Sequence, residues 1–315
     1  MNKTERSIFE QFPYWVKAPA NPALAQPDIL HVVVGCGTSF YIAQTVAAAL
    51  TAHAQQAIAV TGGEWWKRPQ FYLAAGNKAH VIVLSRSGES TETVRAAERS
   101  RADGHYVTAL TCAAGSSITK HADTVLFAET HPEEGIVMTA SASLMLLMGF
   151  HMAGVTADAA TAAQALLTAL DGVANSILEG RTHFVFLGAG PLQGIAQEGA
   201  LKLQEMSLSY TQAYHTGDYR HGPITLADER TAVIFLYSPD APADEALLAA
   251  DLISQGARVL GIGGPGTVAL TVGGEASLRG LVCLPALQLL GERQAQLKGL
   301  DSLAPRNLSK VVLLG

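Results

Sequence analysis

The chain has 315 residues, 49% apolar and 15% charged, the composition of a folded protein with a large core, which excludes a disordered or fibrous chain. Lys and Arg number 21 against 27 Asp and Glu, a formal charge of −6, and no Lys/Arg-rich run interrupts the sequence. A broad basic surface for nucleic acid or anionic lipid is therefore excluded, and any anion must be held locally. Cys36, Cys112 and Cys283 are far apart and odd in number, which fits neither a disulfide framework nor a metal-site spacing. No metal and no cofactor are expected, and a reducing cytoplasm is the natural compartment.

The start, Met1-Asn2-Lys3-Thr4-Glu5-Arg6, has no long apolar segment after it, so no secretory signal is expected. The residues up to Pro27 read as a helix followed by a Pro-broken linker. Next, the apolar run Val32 to Val34 predicts a strand that turns at Gly35-Cys36-Gly37-Thr38-Ser39 into a helix. Free backbone N–H groups at such a turn favour an anion, and Thr38 and Ser39 add hydroxyl donors. Phe40 stands where a dinucleotide fingerprint needs a small residue, which disfavours an NAD site.

A second strand, Val81 to Leu84, runs into Ser85-Arg86-Ser87-Gly88-Glu89-Ser90-Thr91 and another helix. In an open parallel sheet both loops lie at the carboxyl edge and can converge on one ligand. Hydroxyls and backbone N–H groups suit a phosphate monoester, and no P-loop sequence is present. The stretch 135–157 lacks Asp, Glu, Lys and Arg and is long enough to cross a bilayer. Thr139, Ser141, Ser143 and His151 interrupt it, so it is read as a buried helix, and the segment 156–170 as a connecting helix.

The pattern then recurs. Gly35 and Gly188 are 153 positions apart, as are the triplets Ile42-Ala43-Gln44 and Ile195-Ala196-Gln197, and Gly104 and Gly256 are 152 apart. Apolar β-branched runs alternating with helices imply parallel strands joined by right-handed crossovers. The expected fold is α/β: two doubly wound parallel-sheet units, flavodoxin-like αβα sandwiches related by the repeat, at 24–155 and 175–290, with a tail, 291–315, returning to the site. Lys310-Val311-Val312-Leu313-Leu314 reads as strand-like.

In the second half, Glu198, Lys202 and Glu205 fall within about 60° of one helix face. The small apolar residues around them predict a largely buried helix, and a partly buried glutamate beside a lysine suits a proton acceptor. The loop Tyr214 to Pro223 holds His221, fixed by Gly222-Pro223, a residue suited to proton transfer near neutral pH.

Taken together, Cys36-Gly37-Thr38-Ser39, Ser85-x-Ser87-Gly88-Glu89-Ser90, Ala200-Leu201-Lys202-Leu203-Gln204-Glu205, His221-Gly222-Pro223 and Pro305-Arg306-Asn307-Leu308-Ser309-Lys310 resemble, in order, the motifs of the tandem sugar isomerase (SIS) family. The resemblance runs from about residue 30 to the C-terminus. It extends to the isomerase half of glutamine:fructose-6-phosphate amidotransferase and to the stand-alone isomerases and deaminases of galactosamine- and tagatose-phosphate catabolism. It implies that Thr38, Ser39, Ser85, Ser87 and Ser90 contact phosphate and sugar, with Cys36, Gly37, Arg86, Thr139 and Ser309 in the same binding set. It further implies that Glu205 moves a proton between C1 and C2, with Lys202 near the substrate. His221 would open the sugar ring from the neighbouring subunit, and Lys310 would meet the carbonyl or form an imine.

Two departures shape the expectation. The sequence carries no glutaminase domain and begins Met1-Asn2 without a nucleophilic cysteine, so glutaminase activity is not expected. Met138-Thr139-Ala140-Ser141 stands where the amidotransferase has Ser-Thr-Lys, and Leu187-Gly188-x-Gly190-x-Leu192-Gln193-Gly194 and Arg220-His221-Gly222-Pro223 also point to the stand-alone enzymes. The resemblance thus implies a cytoplasmic homodimer that isomerises a hexose 6-phosphate, an amino-sugar phosphate first, with deamination, and has no nucleic-acid or membrane partner. The alternative is a non-catalytic sugar-phosphate sensor.

Overall fold

The computed structural model describes residues 1–20, 29–240 and 243–314. The linker expected before Pro27, and the 24–28 end of the first expected domain, lie outside the described residues. Two short helices, Lys3–Phe9 and Phe12–Lys17, replace the single N-terminal helix, with Gln11 and Pro13 at the break.

Among the described residues, ten strands form two all-parallel sheets. In the first, β1 (Leu30–Gly35), β2 (Ala57–Thr61), β3 (Ala79–Ser85), β4 (Tyr106–Thr111) and β5 (Thr124–Phe127) take the order β2-β1-β3-β4-β5. In the second, β6 (His183–Gly188), β7 (Thr211–His215), β8 (Thr231–Leu236), β9 (Arg258–Ile262) and β10 (Val268–Leu270) take the same order, β7-β6-β8-β9-β10. The central strands β3 and β8 are buried along their whole length, which is why they read as unbroken apolar runs. The α/β fold of two doubly wound units is thus as the repeat implied. In each sheet the direction of winding reverses between the first and third strands of its set, and the crevice outside their carboxyl ends is where such sheets bind ligands.

The chain divides into two compact units that share both of its ends. One takes Glu10–Glu134, Ala140–Thr156 and Leu308–Gly315; the other takes Met1–Phe9, Gly135–Thr139 and Ala157–Asn307. They are called the first and second units below. The helix Arg279–Leu297 runs through the boundary expected at 290. The connecting helix is Ala160–Asp171, and the charge-free stretch holds the 13-residue buried helix Ala140–Met152. Among the described residues no helix is long and apolar enough to cross a membrane.

The strand-like reading of the last residues is corrected. Residues 308–314 form no strand. Their backbone instead meets the start of the helix Thr91–Ala102, whose Thr91 N–H donates to the Val312 carbonyl (3.1 Å) while the Leu314 N–H donates to Thr91 Oγ1 (3.1 Å). The first N–H groups of a helix have no partner within it, so an extended segment finds hydrogen bonds there as readily as at a sheet edge.

Candidate functional site

The first unit places the expected Cys36–Ser39 and Ser85–Ser90 segments at the carboxyl ends of β1 and β3. Gly37 leads the helix Thr38–Ala52, and Thr38 and Ser39 lie buried in its first turn. After β3 the loop 86–90 is held by its own side chains: Ser85 Oγ accepts from the Gly88 N–H (3.1 Å), Ser87 Oγ accepts from the Glu89 N–H (3.2 Å), and the Glu89 carboxylate accepts from the Ser117 N–H (2.8 Å). Gly88 sits at φ +63°, and a Cβ there would run into the Ser116 side chain, so the turn requires glycine. Ser90 precedes the helix Thr91–Ala102 and makes no side-chain capping bond.

Arg86 is buried and supplies the positive charge of this loop; its guanidinium donates to the Lys310 carbonyl (3.3 Å). Residue 310 of the tail therefore meets the loop after β3 within one unit. Lys310 is exposed, with Nζ 3.5 Å from the Glu134 carbonyl, and the buried Glu134 carboxylate accepts from Ser141 N–H (3.0 Å) and Oγ (2.9 Å). The exposed Ser309 hydroxyl donates to the Val311 carbonyl (2.8 Å). Cys36 receives hydrogen bonds from the Gly62 and Gly63 N–H groups, and burial, with Glu92 nearby, pushes its thiol up to about 11. It is a neutral thiol, not a nucleophile.

The second unit carries the ionisable cluster. The helix Leu192–Ser207 places Glu198, Lys202 and Glu205 one turn apart on one side. Lys202 Nζ lies 3.4 Å from Glu198 Oε1 and 2.6 Å from Glu205 Oε2. Glu198 and Lys202 are fully buried, whereas the Glu205 side chain keeps 18% of its surface open. Burial pushes the Lys202 ammonium down, but the two carboxylates outweigh it and hold it above its ordinary value. Gly291, on the helix Arg279–Leu297, makes this close packing possible, since a Cβ there would stand 2.8 Å from the Lys202 carbonyl. The face that the sequence marked is thus buried and paired.

The two remaining expected residues of this unit differ. Thr139 is buried, its Oγ1 hydrogen-bonded with Ser7 Oγ (2.8 Å) and its carbonyl accepting from Gln288 Nε2 (2.9 Å). His221 is exposed on the loop after β7; its N–H donates to the Asp218 carbonyl (2.9 Å), and its ring has no hydrogen-bond partner among the described residues. Glu134 and Ser7 were not marked by the sequence: neither belongs to a motif, and the Ser7–Thr139 and Glu134–Lys310 contacts each span more than 130 residues. Among the described residues no group of three or more His, Cys, Asp or Glu is placed to hold a metal ion.

Comparison with known proteins agrees with this architecture. A family model for the SIS domain matches residues 30–166 and 177–270. The chain is 28% identical over 95% of its length to a glutamine–fructose-6-phosphate aminotransferase (isomerizing) of Pyrobaculum aerophilum, covering 54% of that protein; it spans about half the length of the curated relatives it matches. Among solved structures it resembles a glucosamine-6-phosphate deaminase from Thermotoga maritima, with 27% identity, a TM-score of 0.84, 99% of this chain and 100% of that one covered. It shares the fold of a tagatose-6-phosphate ketose/aldose isomerase from Escherichia coli, with 24% identity, a TM-score of 0.83 and 97% of each chain covered. The chain belongs to the SIS domain family, with the domain present twice.

Proposed function

We propose that the chain is an aldose–ketose isomerase/deaminase of a hexose 6-phosphate, with an amino-sugar 6-phosphate as its first substrate. The observation that carries this reading is the buried Lys202 ammonium between Glu198 and Glu205, with Glu205 alone reaching solvent. Moving a proton between adjacent carbons needs one base and a stabilised oxyanion, and a lysine-paired carboxylate at the edge of a buried cluster suits the first role.

In this reading the loops 36–39 and 85–90, with Arg86, hold the phosphate. His221, supplied by a second copy of the chain, opens the ring. Glu205 takes the C2 proton and returns it to C1. Lys310 meets the carbonyl oxygen as a cation, or forms an imine once it has lost its proton. If C2 carries an amino group, the transfer leaves a C2 imine, and water hydrolyses it to the ketose and ammonia. The 27% identity and full coverage of the Thermotoga deaminase support this order of preference. The three free cysteines fit a cytoplasmic protein.

A second reading, a sugar-phosphate sensor, draws on Thr139, whose hydroxyl is already shared with Ser7, and on Met138-Thr139-Ala140, which lacks the lysine of the Ser-Thr-Lys segment. The deciding experiment offers the protein glucosamine 6-phosphate, galactosamine 6-phosphate and their plain hexose counterparts in D₂O, and follows ammonia and deuterium together. Ammonia from one amino sugar establishes the deaminase and its epimer. Deuterium exchange without ammonia means an isomerase, and saturable binding with neither signal means a sensor.

A further inference from the structure

The loop that presents His221 has no regular helix to hold it, yet one of its side chains is among the most buried in the second unit. Tyr219 is 0% exposed and packs among Val185, Leu187, Val233, Phe235, Leu248 and Val259. The first unit explains its place. Trp65 is the fourth residue after β2, and Tyr219 is the fourth after β7. Trp65 packs among Val32, Val34, Val81, Val83, Ala96 and Val107, the same repeat positions on the other sheet. The repeat thus retains one aromatic anchor per unit. The chain around Trp65 continues as the helix Gly62–Lys67, whereas the chain around Tyr219 forms two short 3-10 turns, Asp218–Arg220 and Pro223–Leu226, with His221 between them.

The anchors also differ in their polar ends. Trp65 Nε1 donates to Ser100 Oγ (2.8 Å), and Ser100 is the tenth residue of the helix Thr91–Ala102. The tenth residue of the equivalent helix, Ala243–Ser254, is Leu252, so the Tyr219 hydroxyl has no hydrogen-bond partner among the described residues. Tyr219 can then hold the loop through its ring alone, not through its hydroxyl. Three further bonds limit its travel: Thr216 N–H to the Gly188 carbonyl (3.2 Å), His221 N–H to the Asp218 carbonyl (2.9 Å) and Arg220 to Asp251 (2.6 Å).

We propose that Tyr219 is a positioning residue for His221: its buried ring, and not its hydroxyl, fixes where the imidazole is presented. The proposal rests on the reading of His221 as the ring-opening group. It predicts an effect on cyclic substrates that acyclic ones escape.

The test uses the full chain and the ketose 6-phosphate whose C1 proton the wild type exchanges in D₂O, beside its 5-deoxy analogue, which has no hydroxyl with which to close the ring. Tyr219→Phe should exchange both at the wild-type rate. Tyr219→Ala, with Tyr219→Leu as the gentler variant should alanine not fold, should lower kcat on the cyclic ketose at least tenfold and leave the acyclic analogue within about twofold. His221→Asn separates the two claims. If it slows neither substrate, the ring-opening reading fails. If it slows the cyclic one while folded Tyr219→Leu does not, the positioning proposal is overturned. Equal losses on both substrates in Tyr219→Leu, or a loss in Tyr219→Phe, also overturn it.

Discussion

The two units have one topology, yet the same places in their repeat do different work. At the carboxyl end of β3 the first unit carries serines and Arg86, and Thr93, third in the helix that follows, donates only to the Ser90 carbonyl (2.9 Å). At the carboxyl end of β8 the third residue of the equivalent helix is Glu245, and its carboxylate accepts from both the N–H and the hydroxyl of Ser238 (3.1 Å each). A protein carboxylate thus takes, in the second unit, donors of the kind that the first unit leaves among its serines. Conversely, the helix after β6 carries the Glu198, Lys202 and Glu205 cluster, while the helix after β1, Thr38–Ala52, has no charged residue. One copy of the fold thus carries serines and a buried arginine at this edge, and the other carries ionisable groups in its interior.

That division can be tested, and the largest effect is expected at Glu205. Glu205→Gln should slow C1/C2 proton exchange about 10²- to 10⁴-fold, as loss of a general base does, while leaving the phosphate affinity of the first unit within about twofold. Deuterium incorporation and titration with inorganic phosphate measure the two. A parallel loss of both would mean that binding and chemistry are not divided between the units.

Lys202→Met removes the cation between two carboxylates, one of them fully buried. Breaking a buried pair from one side costs about 3–5 kcal/mol, which urea unfolding should register. A near-neutral result would show that water reaches the cluster.

Acid should weaken the first unit selectively. His80, the second residue of β3, lies beside His31, their ring centroids 5.2 Å apart, and donates to or accepts from Thr108 Oγ1 (2.8 Å). Burial first, then His31, hold its imidazole down to about 4. The equivalent second residues of β6 and β8 are Phe184 and Ala232, which do not titrate. Because the folded value lies below the unfolded one near 6.5, the unfolded chain binds the proton more readily. Stability is complete above pH 6.5 and declines as the pH falls toward 4, by about 3 kcal/mol at most. Urea midpoints at pH 7 and pH 5 should fall further apart in the wild type than in His80→Gln.

The smallest contrast is between the two aromatic anchors. Trp65→Phe loses a buried hydrogen bond and ring volume and should cost about 1–3 kcal/mol. Tyr219→Phe removes a buried hydroxyl that has no partner among the described residues and should leave the stability unchanged or raise it by about 1 kcal/mol. Opposite signs at equivalent positions would be the clearest evidence that the repeat has diverged at this one atom.

Much of this was legible in the chain itself. Apolar runs that turn at glycine, repeated at 153 residues, carry β1, β3 and their counterparts β6 and β8, their parallel arrangement and both glycine turns, because these depend on local pattern and on the handedness of crossovers. The face of Lys202 was legible for the same reason, helical spacing. The path of residues 308–314 was not: an apolar run with one cation does not say whether its hydrogen bonds go to a sheet edge or to Thr91. Nor were the Ser7–Thr139 pair, the Glu134 carbonyl beside Lys310 or the isolation of the Tyr219 hydroxyl. Each depends on which residue a distant element brings alongside, and Leu252 reveals its effect on Tyr219 only once the helix Ala243–Ser254 is laid on the sheet.

Both compact units draw on segments from opposite ends of the polypeptide. The first includes Leu308–Gly315, and the second includes Met1–Phe9. During synthesis the helix Lys3–Phe9 must therefore wait for a partner made much later, and the first unit cannot be completed until residues 308–315 have left the ribosome. Cutting the chain near residue 157 would leave each half without a piece of its own body, so the two repeats, although duplicates in sequence, mature as one.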